Sequence, residues 1–153
     1  VIDDSGWVHL KMIDVHEVSK QNEATVLNTG SPHYIKQVSG ISNYDVFSEG
    51  KNIRYNDRYN QKGINVNFVE WNGDELFVRT YERGVENETF SCGTGVTAAA
   101  MAMSNDTTGL QETKIRTLGG SLLIKFNKLD AQHYTDVWLC GPASFVYDGQ
   151  ITI

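Results

Sequence analysis

Apolar and polar residues alternate along most of this chain with the two-residue period of β-strands. Gly6 to Met12 (Gly-Trp-Val-His-Leu-Lys-Met) interleaves large apolar and polar residues, the pattern of a half-buried strand. Short strands are predicted at Glu23–Leu27 and Tyr34–Val38. Asn65–Trp71 alternates cleanly, and Asn72-Gly73-Asp74 then gives a strong hairpin signal before a return strand at Glu75–Tyr81. After Gly119-Gly120 come predicted strands at Ser121–Phe126, Tyr134–Leu139 and the closing segment Ala143–Ile153. One segment breaks the period. Gly93 to Ser104 has no charge and no proline, and alanine dominates it. Val96, Ala99, Ala100 and Met103 fall at i, i+3, i+4 and i+7, one face of a helix, while Ala98 and Ala102 make the other face apolar too. A helix that is apolar all round is usually buried. A second helix is predicted near Val46–Tyr55, with Asp45 as its cap. The expected class is α+β, a β-sheet rolled around one central buried α-helix, in a single domain over residues 1–153.

Composition narrows the possible functions. A length of 153 residues with 40% hydrophobic and 10% aromatic residues can build a core and excludes a disordered chain. A net charge of −6 argues against sequence-independent binding to nucleic acid, which needs clustered Lys and Arg. The longest candidate span, Phe90–Ser104, is too short and too rich in small residues to cross a bilayer. Asp3 and Asp4 stand where a signal peptide would carry positive charge. Two widely spaced cysteines, Cys92 and Cys140, make neither a disulfide framework nor a zinc site. These features point to a soluble cytoplasmic protein. The chain opens in strand-like material without an initiating Met, as a portion of a larger protein would.

Candidate chemistry concentrates between Tyr81 and Gly95. A strand is expected to end near Tyr81, a polar loop to follow, and the buried helix to start just after Cys92. The first N–H groups of a helix lack internal partners and carry the positive end of its dipole, so the spot favours an anion. Gly93 and Gly95 leave backbone amides open to a ligand. A cysteine there is expected to have a lowered thiol pKa, and the thiolate is its reactive form. Spacing alone leaves two readings of Cys92 open, an inert core thiol or an activated one. Other polar residues have equally plain readings. A lone histidine such as His33 is most often structural, Glu82 and Arg83 could pair with solvent or each other, and Asn65 could be a strand-edge residue. Cys140 precedes Pro142 and a strand, not a helix, and reads as structural.

At these residues the sequence resembles diaminopimelate epimerase. The resemblance runs through Gly30-Ser31-Pro32-His33, Asn65, Tyr81-Glu82-Arg83-Gly84, Cys92-Gly93-Thr94-Gly95, Gly119-Gly120-Ser121-Leu122 and Val146-Tyr147-Asp148-Gly149-Gln150-Ile151-Thr152. It covers essentially the whole chain but only the C-terminal half of the family's usual length. The pairing of Glu-Arg-Gly with a following Cys-Gly-Thr-Gly is specific; Cys-Gly-Thr-Gly by itself would be weak.

The resemblance implies a fold of two pseudo-symmetric domains, each a mixed sheet rolled around a central helix, with the N-terminal domain absent here. It implies a cofactor-independent epimerase that converts LL- to meso-diaminopimelate with one cysteine on each face of the α-carbon. Cys92 would be one of these cysteines, and His33 and Glu82 would tune thiol ionisation. Gly93 and Thr94 amides would hold the reacting carboxylate. Glu82 and Arg83 would bind the substrate's amino and carboxylate groups, with Ser31 and Asn65 toward its distal end. Tyr147 resembles a subunit-contact position, so a homodimer is implied. No metal or other cofactor is implied. There are two departures: Ser31 stands where the family usually has Asn, and the loop from Glu82 to Cys92 is slightly longer than the commonest pattern. Three readings result, which are a diaminopimelate epimerase half inactive on its own, an isomerase of another substrate in the same fold group, and a non-catalytic binding domain.

Overall fold

The apolar helix starting at Gly93 organises the molecule. In the computed structural model, which describes residues 1–4 and 6–152, the order of elements is β1 (Trp7–Lys11), β2 (Val18–Lys20), β3 (Thr25–Asn28), β4 (Pro32–Gln37), a 3-10 turn (Ile41–Asn43), α1 (Val46–Arg54), β5 (Asn65–Asn72), β6 (Glu75–Glu82), β7 (Asn87–Thr89), α2 (Gly93–Ala102), β8 (Gly109–Thr117), β9 (Gly120–Lys128) and β10 (Tyr134–Pro142). Among the described residues these ten strands form one sheet in the order β1-β10-β9-β8-β6-β5-β4-β3-β2, with β7 paired to β6 off that path. The β4/β5 and β6/β8 pairs are parallel and the rest antiparallel, so the sheet is mixed. Its two ends approach each other through one stretch of chain. Met12 and Val15, just after β1, still bond to Val137 and Tyr134 of β10, and Val18 then begins β2. The sheet thus curls around α2, which touches β3, β4, β5, β6, β8, β9 and β10.

Burial of α2 follows from its composition. Gly95 through Met101 are all buried, and their small side chains let the strands approach from every side. They pack with Val69, Leu76, Val78, Ile115, Ile124, Phe126 and Val137 in the larger core. Past its C-terminal end, the buried ammonium of Lys128 donates to Ser104 Oγ and to the Asn105 carbonyl, a cation where the dipole favours one. Helix α1 covers the outer face of the sheet. Its N-cap Asp45 accepts from the Ser48 N–H at 3.1 Å, and Val46 joins Ile41, Ile64, Val66, Phe68 and Tyr81 in a second core.

Three parts of the sequence reading need correction. Ala143–Thr152 forms no strand: β10 ends at Pro142, and no neighbouring strand takes up the backbone beyond it among the described residues. Phe145, Val146, Tyr147 and Ile151 are more than 80% exposed there, while Ile153 lies outside the described residues. Strand β8 was not foreseen, because its inward positions are Thr113, Ile115 and Thr117, and two hydroxyls hide the apolar phase. Strands β2 and β7 have three residues each, too few for a period to register.

Candidate functional site

Cys92 is the N-cap of α2, in extended conformation with φ −129° and ψ 110°. Its side chain makes no capping bond, and it is half-buried. The first helical bond runs from the Val96 N–H to the Cys92 carbonyl at 2.9 Å. The N–H groups of Gly93 and Thr94 have no protein partner among the described residues, as a helix start requires when no side chain reaches back. The approach to Cys92 is fixed on both sides. Phe90 accepts from the Gly119 N–H at 2.9 Å, tying the segment to the β8–β9 turn. A Cβ on Gly93 would lie 3.0 Å from Leu139, and one on Gly95 would collide with the Asn67 carboxamide. Both glycines therefore stand where neighbouring side chains press against the first turn.

Beneath Cys92 lies a floor of polar side chains from β4, β5 and β6. Here the alternation of β5 has a meaning that a half-buried strand would not have. Val66 and Phe68 face α1, so Asn65 and Asn67 face the interior, and all four are buried. Parallel pairing sets His33 of β4 beside Asn65, and antiparallel pairing sets Thr80 of β6 beside Asn67. The bonds form a connected network. Asn67 Nδ2 lies 3.1 Å from His33 Nδ1 and donates to the Tyr34 carbonyl at 3.3 Å, while Asn67 Oδ1 accepts from the Thr80 hydroxyl at 2.9 Å. On its other side, His33 Nε2 lies 2.9 Å from Thr94 Oγ1 and 3.0 Å from Ser31 Oγ. Thr94 Oγ1 in turn is 3.6 Å from Cys92 Sγ. Thr29 Oγ1 donates to the Thr94 carbonyl at 2.8 Å, which seats the β3–β4 turn on the start of α2. Asn67 and Thr80 were not singled out in the sequence; the signal was a strand with asparagines in one phase and large apolar residues in the other.

Asn65 is largely committed within the protein. Its Oδ1 accepts from the Arg83 N–H at 2.9 Å, and its Nδ2 donates to Ser31 Oγ at 3.0 Å and to the Pro32 carbonyl at 3.1 Å. Burial, and then the charge of Arg83, push the His33 imidazole down from 6.5 to about 3, so it is neutral at ordinary pH. Glu82 and Arg83 do not pair with each other. Glu82 accepts from the Thr89 hydroxyl at 2.9 Å, and Arg83, exposed, spends one N–H on the Lys62 carbonyl at 3.0 Å. The rest of the Arg83 guanidinium is open to an anion.

The structure thus brings together Ser31, His33, Asn65, Arg83, Cys92, Gly93 and Thr94, with Glu82 at the end of β6 and bonded to β7. Two residues lie apart. Tyr147 belongs to the exposed segment after β10. Cys140 is fully buried, and desolvation pushes its thiol pKa up. Its neighbour Leu139 packs toward α2, so Cys140 points to the opposite side of the sheet, where its sulfur lies 3.2 Å from His9 Nδ1. A hollow of about 410 Å³ on that same side, between Asp3, His9, Lys125 and Trp138, does not include Cys92. Among the described residues, no helix is long and apolar enough to cross a membrane.

Comparison with known proteins adds an independent line. The family model described as diaminopimelate epimerase matches residues 25–146. Diaminopimelate epimerase of Flavobacterium psychrophilum is 43% identical over 152 residues, covering 98% of this chain and 59% of that protein. The enzyme of the same name from Chlorobaculum tepidum is 42% identical, over 83% of this chain and 49% of that protein. The chain therefore spans about half the length of the relatives it matches. Two solved structures share the fold at low identity. A probable proline racemase from Agrobacterium radiobacter K84, with bound carbonate, aligns with a TM-score of 0.61 at 14% identity, over 94% of this chain and 54% of that one. A PhzF-family phenazine biosynthesis protein from Bacillus anthracis aligns with a TM-score of 0.58 at 12% identity, over 100% of this chain and 64% of that one.

Proposed function

Because the chain belongs to the diaminopimelate epimerase family, we propose that it supplies one face of a cofactor-independent epimerase acting on diaminopimelate in the cytoplasm. The observation that carries this reading is Cys92 at the start of a buried helix, beside two unpartnered amides and a histidine-linked hydroxyl. The Cys92 thiolate takes the substrate's α-proton, so a C–H bond breaks and an S–H bond forms. The electron pair stays on the α-carbon and spreads into the adjacent carboxylate. A thiol on the opposite face then gives its proton to that carbon and inverts it. In the reverse direction the two sulfurs exchange roles.

The charge that develops on the carboxylate is met by the Gly93 and Thr94 amides and by the dipole of α2, which are in place before the reaction starts. Arg83 and Glu82 receive the carboxylate and amino groups of the substrate. Asn65 acts mainly by holding Ser31 and the Arg83 backbone, with one Oδ1 lone pair left for the substrate's distal end. The opposite thiol belongs to a second domain outside this chain, because Cys140 is buried on the far side of the sheet. A homodimer through the region of Tyr147 completes the reading.

The test is α-proton exchange. The intact protein, given LL-diaminopimelate in deuterated water, is expected to form meso-diaminopimelate carrying deuterium. Cys92→Ser is expected to lose roughly 10²- to 10⁴-fold in rate. Undiminished turnover by Cys92→Ser would remove Cys92 from the chemistry. Exchange into another amino acid but not diaminopimelate would move the substrate within the fold group, and no exchange into any would favour a binding domain.

A further inference from the structure

We propose that Asn67, held by Thr80, is a positioning residue that sets the tautomer of His33 and thereby directs the Thr94 hydroxyl proton at the sulfur of Cys92. The argument begins with the amide of Asn67. Its Nδ2 faces the Tyr34 carbonyl, which can only accept, and its Oδ1 faces the Thr80 hydroxyl. Turning the amide over would set oxygen against oxygen at Tyr34. With Nδ2 so placed, a donor points at His33 Nδ1 across 3.1 Å, and that nitrogen must accept. A neutral imidazole that accepts at Nδ1 carries its proton at Nε2. Nε2–H then donates to Thr94 Oγ1 at 2.9 Å, with Ser31 Oγ as a second acceptor at 3.0 Å. Having accepted from His33, the Thr94 hydroxyl can give its own proton to Cys92 Sγ at 3.6 Å or to Ser31 Oγ at 3.3 Å; Ser31 Oγ already accepts from Asn65 and faces Nε2–H, which leaves the sulfur as the better acceptor.

With the other tautomer, the chain of donors would run backwards. Nε2 would then need a hydroxyl donor, either Thr94 at 2.9 Å or Ser31 at 3.0 Å, and the Thr94 proton would no longer be directed at the sulfur. Gly95 belongs to the same device, since any side chain there would push the Asn67 carboxamide off its seat. On the face of the sheet that carries His33 and Asn67, the ionisable groups are His33 on β4, Glu82 at the end of β6, Arg83 just after it and Cys92 itself, while strand alternation puts Tyr34, Lys36, Glu70, Glu75, Arg79, Tyr81 and Glu88 on the other face. Glu88 is held in an ion pair with Arg79, Glu82 is bonded to Thr89, and Arg83 opposes any proton on His33. The device therefore works with an imidazole that is neutral at ordinary pH and acts as a donor. Its significance for turnover rests on the proposed role of Cys92, but the coupling itself does not.

Two measurements test it on the intact protein. Imidazole ¹⁵N shifts are expected to report His33 as the Nε2–H tautomer near neutral pH; an Nδ1–H tautomer would overturn the proposal without any variant being made. The second measurement is the pH profile of alkylation at Cys92, read by peptide mass so that the slow Cys140 is counted separately. Thr94→Val and Asn67→Leu are each expected to raise the apparent thiol pKa by about half a unit to one unit, a roughly threefold to tenfold slower reaction at neutral pH. Thr80→Val is expected to act in the same direction with a smaller shift. The double variant Asn67→Leu/Thr94→Val should be no worse than Thr94→Val, because Asn67 acts through that hydroxyl. Additive shifts, or an unchanged profile in folded Asn67→Leu, would overturn the coupling. If the coupling holds while the protein fails to exchange an α-proton, the failure belongs to the proposed function and not to this network.

Discussion

At the scale of single residues, the candidate site holds a buried histidine that stays neutral at ordinary pH. His33 ordinarily titrates near 6.5 and is held at about 3 in the fold, by burial first and the Arg83 charge second. A base whose pKa is lowered on folding takes up its proton earlier in the unfolded chain. The folded state is therefore fully favoured above about pH 6.5 and loses stability as the pH falls toward 3, at up to about 1.4 kcal/mol per pH unit. The urea midpoint is expected to fall between pH 7 and pH 4, and His33→Gln is expected to flatten that dependence. Equal slopes in the two proteins would trace the acid sensitivity to other groups. Cys92 and His33 stand out in the sequence within short motifs, Cys92-Gly93-Thr94-Gly95 and Gly30-Ser31-Pro32-His33, and Asn65 stands out only through the family resemblance. Asn67 does not, because a polar residue in an alternating strand is ordinarily assigned to the solvent side. That assignment fails for β5 since α1 covers the apolar phase and forces the asparagines inward, where each must find partners.

At the scale of elements, the segment that delivers Cys92 is anchored by a charged clamp. Arg79 of β6 makes two bonds to the Glu88 carboxylate of β7, at 2.6 and 2.7 Å, and donates to the carbonyls of Ile41 and Tyr44 at 2.8 and 2.9 Å. Both charged groups are mostly withdrawn from water, with side-chain exposures of 13% and 21%. Removing Arg79 strands a carboxylate and two carbonyls together, which costs more than the pair itself contributes. Arg79→Met is expected to destabilise the protein by about 3 kcal/mol. Faster amide exchange should concentrate in residues 41–44 and 87–89, and a loss spread evenly over the sheet would show that the clamp is not local. Neither β7 nor its clamp could be read beforehand, since three polar residues carry no period and an Arg-Glu pair nine positions apart in sequence announces no contact. The hairpin of β5 and β6, the capped α1 and the central α2 were legible because turn chemistry, capping and sustained apolarity are local signals. The closing strand was misread for the complementary reason. Its residues have strand character, but a strand exists only where a neighbour accepts its hydrogen bonds.

At the scale of the whole molecule, two cysteines lie on opposite sides of one sheet, and this bears on what the chain can do unaided. Cys92 meets the site at the start of α2; Cys140 is sealed against His9 with a raised thiol pKa. The sequence contains no third thiol. Inversion at an α-carbon needs proton transfer on two faces, and a group fixed at a helix terminus reaches only one of them. The 153-residue polypeptide, prepared alone, is therefore expected to bind or exchange weakly at most and to invert nothing. The measurement is chiral separation of diaminopimelate isomers after incubation in deuterated water, with rapid alkylation of Cys92 while Cys140 stays protected as the sign that the site is folded. Deuterium gained with configuration retained would fit a single base working on one face. Meso product formed by this polypeptide would mean that one thiol, or a water molecule, serves the second face, and the two-cysteine reading would have to be given up.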